Sequence, residues 1–317
     1  MKIVNLDGYT TNPGDLSWDW LGNYGEYKVY DRTAPEQIVE RAKDADILII
    51  NKSVITAQML ENLPNLKFVG LQSTGYNVID CKAARARNIT VSNIPAYSTT
   101  GVAQLVFAFI LQVADNVSLH SDAVHNGEWC ECPDFCFWKT PLTELDGKTI
   151  GIIGFGSIGR RVAQIANAFG MNVEVFTTHP KPDEYKNVNF VDFDTLLSDS
   201  DFITCHCPLT EKTENLIDKN AIDKMRKNAV VINTSRGPVV NDEDLADALN
   251  SGKIKAAGVD VLRVEPPEKE NPLLHAKNCY ITPHIAWAAY ETRARLLGIL
   301  EQNIKAYIDG NPINVVN

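Results

Sequence analysis

The sequence predicts an α/β protein of two domains, one of them a doubly wound sheet that binds a dinucleotide. Three observations carry this. Short apolar, β-like runs alternate with helix-like runs along most of the 317 residues, the pattern of parallel sheets with crossover helices. The stretch GIIGFGSIG, 151–159, lies between a β-like run at 148–153 and a helix-like run at 160–169. Strand, glycine-rich turn and helix in that order make the nucleotide-binding fingerprint, with Gly154, Gly156 and Gly159 as its glycines. The fingerprint also sits in mid-chain, so a folded domain is expected in front of it. In such a turn the first glycine permits the tight bend, the second lets the backbone approach a pyrophosphate, and the third lets helix and strand pack closely. The helix N-terminus offers free N–H groups and a partial positive charge to the phosphates.

Composition is that of an ordinary globular protein, and the formal net charge of −10 argues against nucleic acid or an anionic membrane as the main partner. The longest apolar run, 102–117, is broken by Gln104, Gln112 and Asp115, which makes it a core helix rather than a membrane span. Met1 runs directly into the strand-like KIVNL, with no signal-like stretch, and the seven cysteines then suit a reducing cytoplasm.

Taken in order, candidate strands fall at 2–6, 27–30, 47–51, 68–71 and 89–91, with helices at 35–43, 56–62 and 80–87, the last capped by Asp80. Between the fourth strand and its helix lies Gln72-Ser73-Thr74-Gly75-Tyr76-Asn77. Small and hydroxylated residues at the carboxyl end of a parallel strand suit a ligand, and an ordinary turn equally well. Ser98-Thr99-Thr100 caps a long helix from 101 to about 125, whose apolar positions Val102, Leu105, Val106, Phe109, Ile110 and Val113 recur at helical spacing. The segment 127–141, GEWCECPDFCFWKTP, reads as an aromatic arm. Its Cys130, Cys132 and Cys136 do not have the spacing of a zinc site. A second array follows, with six strands at 149–153, 173–176, 202–205, 230–233, 257–261 and 280–281 and helices at 160–169, 219–225 and 243–250. A last amphipathic helix, from about 288 to 308, precedes a tail at 311–317.

Reduction of a 2-keto acid by a nicotinamide needs a cation for the carboxylate, a proton donor for the ketone oxygen, and a group that keeps the donor charged. Three strand ends offer these. Arg236 follows one buried strand in TSRG, Glu265 leaves the next in DVLRVEPP, and His284 leaves the last in TPHIAW. Singly, each has an ordinary structural reading. Together they converge on one rim of the sheet, where such folds bind ligands.

With these residues in place, the chain resembles the D-isomer-specific 2-hydroxyacid dehydrogenase family along essentially its whole length. The resemblance rests on GFGSIGRRVAQIANAFGM, CHCPLTEKTENLID, VINTSRGPVVNDEDL, AAGVDVLRVEPP and NPLLHAKNCYITPHIAWA, in that order. Within the family, STGYNVID, PAYSTTGVAQLVFAFIL, CPDFCFW and TPHIAWA are most similar to glycerate dehydrogenases, also called hydroxypyruvate reductases. The resemblance implies a Rossmann NAD(P)-binding domain, 101–288, inserted into a flavodoxin-like substrate-binding domain, 1–100 plus 289–317. It implies that Arg236 grips the substrate carboxylate and keto oxygen. His284 would be acid in reduction and base in oxidation, and Glu265 would pair with it and favour its imidazolium form. No metal is required. Ser73, Thr74 and Gly75 would give backbone amides to the carboxylate. Ser157 and Ile158 would lie on the pyrophosphate beside Gly154 and Gly156, and Cys207 and Pro208 on the adenosine side. Thr234, Ser235 and Asp260 would lie near the nicotinamide, Asp260 on its carboxamide. Members are usually homodimers joined through the long helix and the arm, here about 101–141, and Trp138 would then approach the partner's active site.

One position departs from NAD-preferring relatives, which carry an acidic residue at the end of the second Rossmann strand. Here that place holds Thr177, in FTTHPKP. Without the carboxylate, a 2′-phosphate is not repelled, and Thr177, Thr178, His179 and Lys181 offer it partners, so NADP is expected to be accepted beside NAD. The function expected is reduction of hydroxypyruvate or glyoxylate to the D-hydroxy acid, or the reverse. The alternatives are a D-lactate-type or phosphoglycerate-type dehydrogenase and a non-catalytic, dinucleotide-sensing binding protein of the corepressor kind.

Overall fold

Burial on both faces makes a parallel strand a continuous apolar run, and such runs organise both sheets of this protein. The computed structural model describes all 317 residues, and the chain divides into two compact units, Met1–Ser98 with Trp287–Asn317, and Thr99–Ala286. In the smaller unit, β1 (Lys2–Asn5), β2 (Glu26–Val29), β3 (Ile47–Ile50), β4 (Phe68–Leu71) and β5 (Thr90–Ser92) form a fully parallel sheet in the order β2-β1-β3-β4-β5. This is the flavodoxin-like winding. Alternation decides the faces. Beyond α1 (Gly8–Thr11), Leu48 and Ile50 pack with Ile38 and Ala42 of α2 (Ile38–Ala42), Leu60 of α3 (Ala57–Glu61) and Ala84 of α4 (Cys81–Ala86). Ile47 and Ile49 pack with Leu296, Leu300 and Ile304 of the C-terminal helix, Tyr290–Ile308. Short helices start where the sequence supplies a cap: Thr56 accepts from the Met59 N–H at the head of α3, and Asp80 from the Ala83 N–H at the head of α4. The tail after the C-terminal helix is bound rather than loose. Val315 bridges antiparallel to Ser92, and the Val316 N–H donates to the Val91 carbonyl, so the tail covers the open edge of β5.

The larger unit begins with two helices. The single helix expected over 101–125 is broken into α5 (Thr99–Asp115) and α6 (Val117–His125), bent by 54°. Asn116 takes a left-handed φ of 48°, a conformation its short polar side chain tolerates and a helix interior does not. The helix also starts at Thr99, so Thr99 and Thr100 belong to its first turn. No single helix is long and apolar enough to cross a membrane.

The sheet of this unit has seven parallel strands, β6 (Thr149–Ile153), β7 (Asn172–Phe176), β8 (Asn189–Phe190), β9 (Phe202–Cys205), β10 (Val230–Asn233), β11 (Ala256–Val259) and β12 (Cys279–Ile281). Their order is β12-β11-β10-β9-β6-β7-β8, a doubly wound Rossmann sheet with its switch point between β6 and β9. The seventh strand, β8, is two residues long, too short for periodicity to reveal, and its Phe190 joins the core under α5 and α7 (Ser157–Ala168). A helix that the pattern also missed, α8 (Phe193–Asp199), is capped by Asp192, which accepts from the Thr195 N–H. Helices α8, α9 (Lys219–Lys224) and α10 (Asp242–Ser251) cover the other face.

In the smaller unit one buried carboxylate fixes the segment that leaves β3. Asp7 Oδ2 accepts the N–H groups of Asn51 (2.7 Å), Lys52 (3.1 Å) and Ser53 (3.0 Å), and its Oδ1 accepts the Ser53 hydroxyl (2.7 Å). Asp7→Ala leaves these amides without an acceptor, and urea unfolding should report a loss on the order of 3 kcal/mol. A variant as stable as the native chain would show that the amides find other acceptors.

Candidate active site

The cradle at the head of α7 is built by what the turn lacks. Gly154 leaves β6 at φ +92°, its N–H donating to the Phe176 carbonyl at 2.8 Å. A Cβ there would lie 2.8 Å from the Cys207 nitrogen and the His206 carbonyl, so only glycine lets the segment after β9 pass this closely. Gly156 is the N-cap of α7, no side chain caps the helix, and nothing stands within 4 Å of where its Cβ would be. The helix therefore starts at Ser157, three residues before the apolar pattern does, and Ser157 and Ile158 present first-turn N–H groups to open space. This geometry fits the pyrophosphate of a dinucleotide. Cys207, half-buried, and Pro208, exposed, follow β9.

Thr177 directly follows β7, and its Oγ1 accepts from the His179 N–H at 3.4 Å. Thr178 Oγ1 lies 2.9 Å from His179 Nδ1. Lys181, one of the groups expected to receive a 2′-phosphate, holds both carboxylate oxygens of Glu184 at 2.8 and 3.1 Å.

At the end of β10 an asparagine shapes the loop. Asn233 Oδ1 accepts the N–H (3.0 Å) and hydroxyl (2.9 Å) of Ser235, and its Nδ2 donates to the Arg236 carbonyl (2.9 Å). Thr234 is buried, Ser235 half-buried and Arg236 exposed. The Arg236 guanidinium donates to the Ser235 carbonyl at 2.8 Å and forms no ion pair, so most of its fork is open to an anion. Gly237 makes the next contact possible: a Cβ there would fall 2.0 Å from the carbonyl carbon of Leu262. The loop after β10 thus lies against the loop after β11, which carries Glu265.

Asp260, at the end of β11, ties this rim to the next strand. Its Oδ1 accepts the Thr282 hydroxyl (2.6 Å) and the Ile285 N–H (2.7 Å), Oδ2 accepts the Ala286 N–H (2.9 Å), and its carbonyl accepts the His284 N–H (2.8 Å). Burial raises its carboxyl above the usual value, while the hydrogen bonds from Thr282, Ala286 and Ile285 pull the other way. His284 is held at φ +54°, a left-handed conformation that costs a non-glycine residue about 1–2 kcal/mol. Its Nδ1 lies 2.6 Å from Glu265 Oε2, and Glu265 Oε1 accepts the Leu262 N–H at 3.1 Å. Glu265 is thus fixed by the backbone while it fixes the ring, which leaves Nε2 as the free nitrogen of an imidazole about one-third exposed (33%). Arg236, Glu265 and His284 follow β10, β11 and β12 in turn, on one rim of the sheet.

In the smaller unit, the loop after β4 is organised by its own side chains. Ser73 Oγ donates to the Gly75 carbonyl (2.6 Å), Thr74 Oγ1 to the Ile94 carbonyl (2.7 Å), and the Ser73 carbonyl accepts the Ile94 N–H (2.9 Å). The arm residues Cys130 and Cys136 are exposed and Cys132 half-buried, and no three His, Cys, Asp or Glu side chains stand together in an arrangement for a metal ion. Two contributors escaped the sequence reading. Asn233 looked like the last residue of a strand, and His206 like the flank of CHCPLT. An Asn at a strand end with a Ser two residues on is a legible turn signal, whereas the surroundings of His206 appear only in three dimensions.

Residues 107–286 match the family model described as D-isomer specific 2-hydroxyacid dehydrogenase, NAD binding domain. The chain is similar to a hydroxypyruvate reductase of Blautia hydrogenotrophica, 48% identical over 321 residues and covering 100% of both chains. It is also similar to a glycerate dehydrogenase of Methylorubrum extorquens, 39% identical over 294 residues and 92% of each chain. Among solved structures, an acyclic imino acid reductase in complex with NADPH and D-Arg matches with a TM-score of 0.86 and 32% identity, over 100% of both chains. A family match across more than half the chain, and relatives this similar over nearly all of it, establish that the protein belongs to the D-isomer-specific 2-hydroxyacid dehydrogenases and is an oxidoreductase with an NAD-binding domain.

Proposed function

We propose that the chain reduces a small 2-keto acid, hydroxypyruvate or glyoxylate, to the D-hydroxy acid, or runs the reverse. The observation that carries the reading is the His284–Glu265 pair at 2.6 Å, on a segment pinned by Asp260, on the same rim as the open fork of Arg236. Arg236 takes the carboxylate through its planar fork and polarises the keto oxygen. His284 Nε2 gives its proton to that oxygen as C2 is reduced, and Glu265 holds the ring in the orientation this needs. The nicotinamide, when bound, supplies the hydride, so the keto acid gains one hydride and one proton and the cofactor leaves oxidised. The imidazole, left neutral, regains its proton from solvent. In the smaller unit, the backbone N–H groups of Ser73, Thr74 and Gly75 find no acceptor inside the chain, which supports them as donors to the substrate carboxylate. Thr234, Ser235 and Asp260 are assigned to the nicotinamide side, and Gly154, Gly156, Ser157, Ile158, Cys207 and Pro208 to the pyrophosphate and adenosine. The names of the relatives from Blautia hydrogenotrophica and Methylorubrum extorquens support the substrate class.

The cofactor is NAD or NADP, with NADP accepted. Thr177 places no carboxylate against a 2′-phosphate, and the structural relative of similar fold holds NADPH. The exposed Lys181–Glu184 pair is weak enough to exchange for a phosphate. A homodimer through 101–141 is supported by the apolar surface gathered there, with Phe135 89% and Trp138 66% exposed beside Val117, Trp129 and Leu142. Seven free cysteines support a cytoplasmic setting.

Three measurements test these readings. Purified protein should oxidise NADH or NADPH with hydroxypyruvate or glyoxylate, and His284→Gln should cut kcat by about 10²–10⁴ while leaving the dinucleotide Kd nearly unchanged. No turnover across a panel of 2-keto acids would favour the dinucleotide-sensing alternative instead. Thr177→Asp should lower kcat/KM for NADPH at least tenfold and raise the NADH to NADPH ratio, and an unchanged ratio removes Thr177 from cofactor choice. Light scattering should give twice the chain mass of 35.1 kDa, falling to one chain when Phe135 and Trp138 are both changed to Asp.

A further inference from the structure

Asp260 pins the root of His284, but Glu265, the other half of the pair, stands in a run of eight exposed residues, 263–270. Its carboxylate meets the Leu262 N–H at 3.1 Å and His284 Nδ1 at 2.6 Å. A side chain on an exposed loop is no better placed than its backbone, so the run itself has to be tied down. Downstream of Glu265, the Lys269 carbonyl meets His275 Nε2 at 3.1 Å. Upstream, Arg263 reaches out of the run to the segment that follows β9.

One guanidinium nitrogen of Arg263 donates to Glu214 Oε1 at 3.3 Å, and another donates to the side-chain oxygen of Asn215. A planar fork can hold acceptors on two successive residues at once, which a single ammonium does less rigidly. The acceptor segment is itself fixed. Asn215 takes a left-handed φ of 50°, which its short polar side chain tolerates, and its N–H donates to the Pro238 carbonyl at 2.8 Å. Beside it the Ile217 N–H donates to the Val239 carbonyl at 3.1 Å, and both of these side chains lie in the core. Pro238 stands just past Arg236, and Gly237 between them abuts Leu262. Asn215 thus grips the loop of Arg236 with its backbone and the loop of Glu265 with its side chain.

We propose that Arg263, clasped by Asn215 and Glu214, is a positioning residue for Glu265, an assignment that rests on the keto-acid reductase reading above. The clasp fixes the loop that carries Glu265 to the same segment that fixes the loop of Arg236. Glu265 then orients the His284 ring from one side while Asp260 sets its backbone from the other. The Arg263–Glu214 pair is exposed at both ends, 36% and 53%, so it adds little to folding. Its effect is geometric. Proton transfer from Nε2 to the keto oxygen needs close alignment, and a misplacement of about 1 Å lowers a rate by on the order of 10²-fold. Neither the fork of Arg236 nor the glycine turn at Gly156 uses the Arg263 side chain, so its loss falls on turnover and leaves binding in place.

The test is steady-state reduction of hydroxypyruvate or glyoxylate, whichever the native protein turns over, by the full-length chain at saturating cofactor. Fluorescence titration of the dinucleotide and thermal melting run alongside. Arg263→Ala should lower kcat about tenfold, with the KM for the keto acid and the dinucleotide Kd each within about twofold of native. Its melting temperature should stay within about 2 °C, as expected for an exposed pair. Arg263→Lys keeps a cationic donor and should recover kcat to within about threefold. Asn215→Gly keeps the left-handed backbone and its N–H but removes the acceptor, and should reproduce the alanine variant's loss at least in half. The deciding measurement is a double-mutant cycle with Glu265→Gln. In that background Arg263→Ala should change kcat by less than about twofold, because the group it positions is already gone. A full tenfold loss repeated there shows that Arg263 acts elsewhere and overturns the proposal. Native kcat in both Arg263→Ala and Asn215→Gly also overturns it, while leaving the reductase reading intact. A native protein that turns over no 2-keto acid overturns both.

Discussion

Asp260 is the constraint on which the reacting rim depends. A carboxylate at the end of a buried strand is an expensive group, and burial alone would favour its neutral form. Here it is saturated by one hydroxyl and two backbone N–H groups of the segment 282–286, which also carries His284. The same contacts that make the buried charge tolerable leave that segment little freedom, and they help to hold His284 in a backbone conformation it would not choose. Glu265 then has to fix only the orientation of a ring whose root is already set. The precision of the site is thus built from the strand end outward, on loops pinned to the sheet by buried hydrogen bonds.

The smaller unit uses the same device. Asp7 stands at the end of β1 as Asp260 stands at the end of β11, and each gathers the backbone amides of the segment leaving the neighbouring strand. Parallel sheets create this need, because every strand delivers unpaired amides to the same rim. A carboxylate there can satisfy several at once, and the loops it fixes become dependable platforms for polar side chains.

Much of this architecture was legible because its signals are local. Thr56 and Asp80 mark helix starts by themselves, and runs such as Ile47–Ile50 mark buried strands. The strand-end positions of Arg236, Glu265 and His284 followed from counting runs and applying the rule for doubly wound sheets. What escaped depends on contacts between segments or on single dihedral angles. Asn116 fits a helical pattern, and only its left-handed φ breaks the helix. The two residues of β8 carry too few positions to show a period. The hold of Asp260 on Ile285 and Ala286 spans the pairing of β11 with β12, which no spacing in the sequence discloses. His206 reads as an ordinary polar residue until the sheet is assembled around its ring.

The face formed by Ile3, Ile47, Ile49 and Phe68 is covered by Leu296, Leu300 and Ile304, and the edge of β5 is paired by residues 313–316. Most of the chain therefore has to leave the ribosome before the first sheet to be synthesised can bury its second face. The inserted unit, Thr99–Ala286, is continuous and can close its core earlier. Synthesis order and completion order are reversed: the domain begun first is finished last, and its apolar sheet face stays open to solvent or to chaperones until the final helix arrives.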